Sequence, residues 1–410
     1  MKRQFRIALD FSQLDLLATT NGQYRYAVEL IRGLARLQSD FQFLLLGSRS
    51  EPAPELLPLF RESDRWRYRR LPRGGFPGAD YVNQVRYSLI LLRERISLLH
   101  SLHTFVPWFA PCPIVVTIYD LMFELFSDYK QARRSRPYRI HKWTVKHRVR
   151  RVICISETTA ADLRREWGVA GDRLSVVPLG TSFGEAENSP AIQTHLPPHL
   201  PLLSDSSLML LSPYNLEPRK NLTALLQATA LLSARFDNLK LVLFGRAAVT
   251  AEREAAFARQ VRELGIARHV VLTGVVTDRE LAELYRRASL FVFPSLYEGF
   301  GLPLLEAMSV GACVVARNAS AMAEVVGESG VLVETRDAKT LASTIAGLLD
   351  NPRLRSELGD AARVRARQFS VERMAKLTHQ SYLATLKQNR QKTEDRIHKT
   401  EYRRQNSPEP

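Results

Sequence analysis

The chain has 410 residues, of which 45% are hydrophobic and 24% charged, a composition typical of globular proteins and sufficient for two hydrophobic cores. Its three cysteines, Cys112, Cys154 and Cys313, are far apart, which argues against a disulfide scaffold and against a zinc site built from paired cysteines. The formal net charge of +16 favours anionic partners: nucleic acid, anionic lipid or phosphorylated small molecules.

The amino-terminal residues predict a protein that stays in the cytoplasm. They begin with basic residues, but Asp10 follows too soon for the apolar region of a secretory signal. No later apolar run is long enough to cross a bilayer. We therefore expect a cytoplasmic protein without a membrane-spanning helix.

Short apolar runs alternate with helical patterns in the first half of the chain, which is typical of a parallel sheet covered by helices. Strands are predicted at residues 6–9, 41–46, 114–118, 152–155 and 175–177. These elements define a first domain at residues 1–184, which we expect to bind an acceptor substrate.

A strongly basic segment lies within this domain. Residues 130–151 include ten Lys or Arg and no acid, with aromatic and aliphatic residues such as Tyr138 and Trp143 interleaved. This combination suits an anionic membrane surface and a peripheral location on the cytoplasmic membrane face. A solvated basic helix face that binds nothing is the alternative, and the sequence leaves both open.

The second half repeats the alternation after a proline-rich stretch at residues 185–206 that we interpret as a linker. A second domain at residues 207–369 has predicted strands at 208–211, 241–244, 270–273 and 290–293, alternating with helices at 222–234, 251–264 and 279–288. This order predicts a second doubly wound sheet. A helix at 370–387 is expected to pack back on the first domain, and the charged segment 388–410 is expected to be disordered.

The most informative motif directly follows the strand at 290–293. It reads Pro-Ser-Leu-Tyr-Glu-Gly-Phe-Gly-Leu-Pro-Leu-Leu-Glu-Ala-Met over residues 294–308. Gly299 and Gly301 permit close backbone approach, and the amides of Phe300, Gly301 and Leu302 at a helix start would face an anion. A plain structural glycine turn is the alternative interpretation.

Two carboxylates flank this glycine loop. Glu298 precedes it and Glu306 lies a turn into the following helix. Carboxylates suit sugar hydroxyls because they accept two hydrogen bonds at once. For Glu306, capping or solvation is the alternative.

A basic loop, Leu-Glu-Pro-Arg-Lys-Asn at residues 216–221, precedes a predicted helix. Arg219 and Lys220 are unfavourable for the dipole at a helix start, which indicates that an anion belongs there. An arginine fork and a lysine point charge together suit two adjacent phosphates. A solvated loop is the alternative.

These motifs together resemble the family-4 glycosyltransferases, whose hallmark is two glutamates separated by seven residues around Gly-Phe-Gly-Leu-Pro. The resemblance extends along nearly the whole chain to about residue 385. It implies the α/β fold called GT-B, with two Rossmann-like doubly wound domains facing each other across a cleft. It also implies a nucleoside diphosphate sugar as donor substrate, no further cofactor, and retention of configuration at the transferred sugar.

The resemblance assigns roles to these residues. Glu298 would be catalytic and hold the hydroxyls of the donor sugar, and Glu306 would hold the ribose. Arg219, Lys220 and the loop amides would neutralise the leaving diphosphate, and no metal ligands are predicted because the sequence has no Asp-x-Asp. The backbone near Val276 would contact the base.

Three further resemblances lie in the first domain. Gly22 occupies the place of the family's glycine loop at the donor phosphates, although a simple helix-start turn explains it equally well. Tyr119 stands where many relatives have a histidine that bonds the donor, and tyrosine keeps only one hydrogen-bond donor. Asp120 would orient or deprotonate an acceptor hydroxyl, or else cap the next helix.

The resemblance thus implies a hexosyltransferase acting on a glycan or lipid-linked glycan in cell-surface polysaccharide or lipopolysaccharide biosynthesis. Mannose from GDP-mannose is the first hypothesis for the donor, because residues 216–221 resemble the same loop in mannosyltransferase-like members. A sugar-nucleotide epimerase or phosphorylase would share the fold, and a catalytically silent relative would bind sugar nucleotide or partners without turnover. A specific nucleic-acid binder is disfavoured, since no recognition helix, zinc site or aromatic RNA-binding motif is present.

Overall fold

The computed structural model describes residues 5–17, 21–71, 81–104, 106–184, 207–246 and 250–405. Two compact units divide the chain. The first unit comprises Met1–Gly180 together with Val371–Pro410, and the second comprises Thr181–Ser370. The predicted linker at residues 185–206 lies outside the described residues.

A parallel sheet forms the centre of the first unit. Its seven strands, counted over the described residues, are β1 Arg6–Asp10, β2 Gln42–Gly47, β3 Trp66–Arg70, β4 Leu98–Ser101, β5 Ile114–Ile118, β6 Arg151–Cys154 and β7 Leu174–Val176. They lie in the order β3-β2-β1-β4-β5-β6-β7. The sequence did not predict β3 and β4, because β3 is an arginine-rich edge strand and β4 is a four-residue strand that ends in His100 and Ser101.

Helices cover both faces of this sheet. They are α1 Gly22–Arg36, α2 Leu57–Glu62, α3 Tyr81–Arg93, α4 Met122–Leu125, α5 Lys130–Arg134, α6 Arg136–His147 and α7 Glu157–Asp162, which continues into a π-helical turn at Leu163–Trp167. Tyr87 and Leu91 of α3, Val145 of α6 and Leu163 share one core with alternate residues of the strands. Helices α3 and α6 therefore cover the same face of the sheet.

The carboxy-terminal helix belongs to the first unit. Helix α15, Val371–Gln405, packs against α1, where a Cβ atom on Gly33 would lie 2.8 Å from the Cβ atom of Ala375. Only glycine allows this approach. The buried Tyr382 hydroxyl is 2.6 Å from Nδ1 of His100 on β4, which connects the helix to the sheet.

The structure differs from the expected disordered tail at residues 388–410. Helix α15 continues to Gln405, and residues 406–410 lie outside the described part of the chain. The segment beyond residue 388 is rich in Gln, Lys, Arg and Glu, which favour helix, and Arg390 pairs with Glu394 one turn later at 2.9 Å. A solvated helix needs no apolar face, so the low apolar content did not indicate disorder.

A second parallel sheet forms the centre of the second unit. The described strands are β8 Leu208–Pro213, β9 Leu239–Phe244, β10 Val270–Gly274, β11 Leu290–Phe293, β12 Val314–Arg317 and β13 Val331–Val333, in the order β10-β9-β8-β11-β12-β13. The helices are α8 Leu222–Ser233, α9 Ala251–Glu263, α10 Asp278–Arg287, α11 Leu302–Ser309, α12 Ser320–Val326, α13 Ala338–Leu349 and α14 Pro352–Ala366.

This topology confirms the predicted α/β class with two doubly wound parallel sheets. In the second unit the strand order reverses between β8 and β11, and ligands of such sheets bind at the carboxyl ends of the strands beside that point. No helix within the described ranges is long and apolar enough to cross a membrane.

Two buried histidines predict an acid-sensitive first unit. Burial, with a smaller contribution from His103, lowers the pKa of His100 and of His141 to about 3. Because a histidine in the unfolded chain titrates near 6.5, the unfolded chain binds more protons between these values, so stability is lost as the pH falls below 6.5. Each histidine should cost about 1.4 kcal/mol at pH 5.5.

The substitution His141→Phe tests this effect, because phenylalanine keeps an aromatic ring beside Trp167, whose centroid lies 5.5 Å from that of His141. Urea unfolding of the first unit should show that the variant loses about 1.4 kcal/mol less than the wild type between pH 7.5 and pH 5.5. The same substitution at the exposed His147 is the control. Equal losses in His141→Phe and wild type would contradict the prediction.

Candidate functional site

The basic loop and the glycine motif meet at the carboxyl ends of β8 and β11. The backbone amide of Leu296 donates to the carbonyl of Arg219 at 2.7 Å. The side-chain amide of Asn221 donates to the carbonyls of Pro294 at 3.3 Å and Thr335 at 2.8 Å. These three bonds hold together segments that are distant in the sequence.

Asn221 adopts a backbone conformation that is uncommon for a residue with a side chain. Its φ angle is +55°, and it forms the amino-terminal cap of α8 directly after the turn Pro218–Lys220. Asparagine tolerates the left-handed region better than most residues do. The unusual angle and the two side-chain bonds together explain why asparagine suits this position.

A compact cluster of charges lies at this junction. Nζ of Lys220 is 2.6 Å from Oε1 of Glu298, and Nη1 of Arg219 is 3.3 Å from Oε2 of the same carboxylate. Nε of Arg219 also contacts Oε2 of Glu217 at 2.8 Å. The two cations are therefore already paired with the carboxylate of Glu298. An anionic ligand would have to compete with this carboxylate for them.

The charge state of Glu298 follows from this contact. Burial raises the pKa of its carboxyl, but the charges of Lys220 and Arg219 outweigh burial and hold the pKa below its ordinary value. Glu298 is therefore ionised at neutral pH. Both cations are mostly buried as well, so salt screens the cluster less than it screens a surface ion pair.

The glycine motif forms the turn that precedes α11. Gly299 and Phe300 lead from Glu298 to Gly301, which caps α11 with a φ angle of +98° that favours glycine. Leu302 begins the helix, as the motif predicts, and anion binding by the first amides of α11 stays a prediction. Phe300 is buried and packs edge-on against another phenylalanine, which makes it a support for the turn.

Glu306 lies on α11 and is buried. It belongs to the same unit and the same motif as Glu298, as the sequence predicts. Its proposed contact with ribose is not tested by this placement and stays a prediction.

Two residues that sequence reasoning missed support the Glu298 segment. The hydroxyl of Ser320 accepts from the backbone amide of Glu298 at 3.2 Å, and Arg317 donates to the carbonyl of Leu296 at 2.9 Å. Ser320 has a φ angle of +53°, which is strained for a residue with a side chain. Arg317 ends β12 and Ser320 begins α12. The sequence did not predict strand β12, so no signal pointed to either residue.

Val276 lies in the short loop between β10 and α10, at the same edge of the sheet as the charge cluster. It is half-buried, and Thr277 next to it caps α10 with a reciprocal bond to Glu280. The cap gives this loop a defined backbone. A main-chain contact with a base remains a prediction.

The first unit places Tyr119 and Asp120 at the carboxyl end of β5. Tyr119 is buried, donates its hydroxyl to the carbonyl of Leu102 and packs edge-on against Tyr26 at 5.4 Å. Burial raises its pKa well above the ordinary value. The single hydrogen that tyrosine can donate is thus used inside the first unit, which weakens its expected role towards a donor.

Asp120 and Gly22 show the features of the structural alternatives. Oδ1 of Asp120 accepts from the amide of Met122 at 3.1 Å at the start of α4. A Cβ atom on Gly22 would meet nothing within 4 Å, and Asn21 caps α1 in front of it. Space around Gly22 does not require glycine, so the helix-start interpretation accounts for it without a ligand.

A buried polar cluster at the ends of β1 and β4 was also missed. Asp10 accepts from the hydroxyls of Tyr87 and Ser12, both at 2.7 Å, and its Oδ1 is 3.2 Å from Nε2 of His103. Burial raises the pKa of Asp10, but His103 and the hydrogen bonds outweigh it and lower the pKa. Because β4 was not predicted, the sequence could not bring His103 next to Asp10. Among the residues described here, no three His, Cys, Asp or Glu are grouped as metal ligands would be.

Two protein-family models match the sequence. Residues 201–365 match the model described as glycosyl transferases group 1, and residues 20–183 match the model described as glycosyltransferase family 4. The first match lies within the second unit, and the second match covers the first unit from residue 20 to Gly180 and ends three residues beyond it.

Among curated proteins, a serotype-specific mannosyltransferase WbdA of Escherichia coli is 28% identical over 293 residues, covering 70% of this chain and 35% of that protein. The chain therefore spans about a third of the length of this relative. An MMP alpha-(1->4)-mannosyltransferase of Mycolicibacterium hassiacum is 32% identical and covers 65% of this chain and 64% of its own. A D-inositol 3-phosphate glycosyltransferase of Thermobispora bispora is 27% identical over 98% of this chain and 97% of its own.

Solved structures share the fold. A sucrose-phosphate synthase from Thermosynechococcus elongatus has a TM-score of 0.72 at 23% identity and covers 92% of this chain and 98% of its own. Anabaena HepE in complex with UDP and glucose has a TM-score of 0.70 at 16% identity and covers 93% of this chain and 100% of its own.

The Asn221 junction yields a prediction on stability. Asn221→Ala removes both side-chain bonds and forces alanine into the left-handed region, so the second unit should lose about 3 kcal/mol. Asn221→Gly removes the same bonds but adopts the angle freely, so it should lose about 1 kcal/mol less. Urea unfolding of the two variants measures the difference. If both variants were equally stable, backbone strain would play no part at this position.

Proposed function

Because this chain belongs to the family-4 glycosyltransferases, we propose that it transfers a hexose from a nucleoside diphosphate sugar to a hydroxyl of a glycan or lipid-linked glycan, with retention of configuration. The observation that carries the proposal is the contact of Lys220 and Arg219 with Glu298 at the carboxyl ends of β8 and β11. It supports the proposal because the cations proposed to bind the diphosphate lie next to the carboxylate proposed to bind the sugar.

The two cations serve the leaving group. A donor diphosphate replaces Glu298 and Glu217 as their partner, and the amides at the start of α11 add further hydrogen bonds. As the bond between the anomeric carbon and the phosphate oxygen breaks, negative charge grows on the diphosphate and is stabilised by groups already in place. No cofactor and no metal ion enter this scheme.

The carboxylate of Glu298, released by the phosphates, accepts hydrogen bonds from the donor sugar near the reacting carbon. The acceptor oxygen bonds to the anomeric carbon on the face that the diphosphate leaves, and the acceptor proton passes to a phosphate oxygen. Glu298 therefore acts without becoming a nucleophile. This same-face course accounts for retention.

The remaining roles complete the donor site in the second unit. Glu306 binds the ribose hydroxyls, and the backbone at Val276 contacts the base. In the first unit, Asp120 is proposed to orient the acceptor hydroxyl, since the acceptor proton passes to a phosphate oxygen in this scheme. Gly22 and Tyr119 keep the donor-side roles that the family resemblance suggests, and Tyr119 must give up its bond to Leu102 to do so.

For the donor we propose GDP-mannose, supported by the mannosyltransferases among the curated relatives. A further curated relative is the O-antigen chain mannosyltransferase B of Escherichia coli. Its name supports an acceptor in cell-surface polysaccharide or lipopolysaccharide. The complex of HepE with UDP and glucose shows that the same fold also accommodates a uridine nucleotide in that protein. The donor test therefore has to include both bases.

We also propose a peripheral position on the cytoplasmic membrane face, where a lipid-linked acceptor is available. Some cations of the basic segment 130–151 have partners within the protein. Arg151 is buried and donates to Ser175 and Thr385, and Lys142 pairs with Glu124 at 2.6 Å. The exposed cations of this segment are Lys130, Arg134, Arg136, Arg139 and Arg148. These are the side chains available to anionic lipid.

The two glutamates should differ in their kinetic effect. Glu298→Ala should lower kcat by about a hundredfold or more with little change in the donor KM, because it acts near the reacting carbon. Glu306→Ala should raise the donor KM by about tenfold and leave kcat nearly unchanged. Glu357→Ala, on the surface of α14, is the control. Equal and small effects of the first two variants would refute this division, and product analysis separates transfer from epimerisation or phosphorolysis.

Donor identity is accessible through thermal stability. GDP, UDP, dTDP and ADP and their common sugars are added to the purified protein in chelator, and one occupied site at a hundred times its dissociation constant adds about 2.7 kcal/mol. We expect a shift with guanosine nucleotides that Lys220→Ala abolishes and Lys339→Ala, at the exposed start of α13, preserves. A response to uridine nucleotides alone would overturn the GDP-mannose hypothesis. Absence of any shift would favour the catalytically silent relative.

A further inference from the structure

Helix α3 has an apolar stripe on its solvent side. Val85, Leu89 and Leu92 are 43%, 44% and 54% exposed, and their spacing places them along one line of the helix. The opposite side of α3 is packed in the core through Tyr87 and Leu91. The three exposed residues are called the α3 stripe below.

The loop between β4 and β5 extends the α3 stripe. Phe109 is 63% exposed, and its carbonyl accepts from the hydroxyl of Ser88 on α3 at 2.8 Å. The amide of Trp108 donates to the side-chain carbonyl of Gln84, also on α3, at 3.0 Å. Two hydrogen bonds thus hold the backbone of the loop that carries the exposed Phe109 against α3.

The border of the α3 stripe is cationic. Arg86, Arg93 and Arg95 are exposed around it. Glu94 is the single acid in residues 81–95, and it contacts Arg69 and lies 3.7 Å from Arg6. The acid is therefore already matched, and the surface keeps an excess of positive charge.

Helix α6 contributes to the same side of the first unit. It shares with α3 the core on one face of the sheet, so the solvent sides of both helices look away from that face. Trp143 of α6 is 49% exposed, and the guanidinium of Arg148 lies 5.7 Å from the centre of its ring. An amphipathic indole beside cations is typical of the boundary between water and lipid.

We propose that the α3 stripe and Phe109 insert into the headgroup region of an anionic lipid surface, while the arginines of α3 and the exposed cations of α6 contact the lipid phosphates. Exposed apolar residues bordered by cations fit such a surface on both counts. A second copy of the chain fits poorly, because it would bring like charges together around the apolar contact.

The inference rests on the proposed function only in that a lipid-linked acceptor would lie in this surface. It adds that α3, outside the basic segment 130–151, supplies the apolar part of the contact. Charge alone would give binding that is lost in salt. If apolar side chains insert into the lipid, part of the binding should persist at high salt.

The test is flotation of the full chain with vesicles of phosphatidylcholine, alone or with about one third phosphatidylglycerol, since anionic headgroups are the proposed partner. The wild type should float with the anionic vesicles. Leu89→Ser combined with Leu92→Ser should lower the bound fraction by about tenfold or more. The control is Leu383→Ser on α15, a leucine of matched exposure at 46%, which should bind like the wild type.

Charge is tested separately. Arg86→Gln combined with Arg93→Gln should weaken binding to anionic vesicles and make it less sensitive to salt. Normal binding of the leucine double variant, or equal loss in Leu383→Ser, would overturn the proposal. Salt-reversible dimers of the wild type that the leucine variant dissociates, without flotation, would assign the face to a second copy instead.

Two further measurements on the same samples test how deeply the surface inserts into the lipid and whether lipid binding is independent of donor binding. Brominated lipids should quench the fluorescence of the wild type, and Trp143→Phe should reduce that quenching, leaving a remainder from Trp108 next to Phe109. Unchanged quenching in Trp143→Phe would contradict the placement of α6 at the surface. The nucleotide-induced thermal shift of the leucine variant should equal that of the wild type. Flotation without any nucleotide shift would leave this inference standing and reject the transfer proposal.

Discussion

The contact between Lys220, Arg219 and Glu298 is the interaction on which the site in the second unit depends. Two cations next to each other would repel in the absence of an anion, and Glu298 supplies that anion within the protein. Because the cluster is mostly buried, the attraction is strong and orients all three side chains before a ligand arrives. Under the proposed function, an anionic ligand would exchange with a carboxylate at a site that is already organised, and such preorganisation is the main source of electrostatic catalysis.

Backbone connections keep this cluster in place. Asn221 joins the basic loop to the ends of β11 and β13, and Ser320 holds the amide of Glu298. Asn221 and Ser320 both lie in the left-handed region without being glycine. Strained angles of this kind persist where surrounding contacts determine them, and in this unit they occur beside the predicted catalytic residue.

The positive charge of the chain serves three physical purposes. Arg151 is buried and bonded to β7 and α15, so its charge contributes to the packing of the first unit. Arg219 and Lys220 form a charge cluster with Glu298, and we propose that an anionic ligand takes the place of this carboxylate. The arginines around the α3 stripe face solvent and are available to a surface. A net charge of +16 therefore does not describe one function, because burial and partners decide what each cation does.

Much of the architecture was accessible from the sequence. Buried parallel strands are continuous apolar runs, so β5, β8 and β11 could be located by composition alone, and the motif around Glu298 and Glu306 carries its chemistry in residue types. The sequence did not predict strand β3, because edge strands are polar. It did not predict the end of α15 either, because a solvated helix and a disordered segment have similar composition. The pairing of Lys220 with Glu298, the bond of Tyr119 to Leu102 and the exposure of the α3 stripe were decided by tertiary structure. Each depends on which strands become neighbours and which helix face is covered, and these are long-range outcomes of packing that no local pattern specifies.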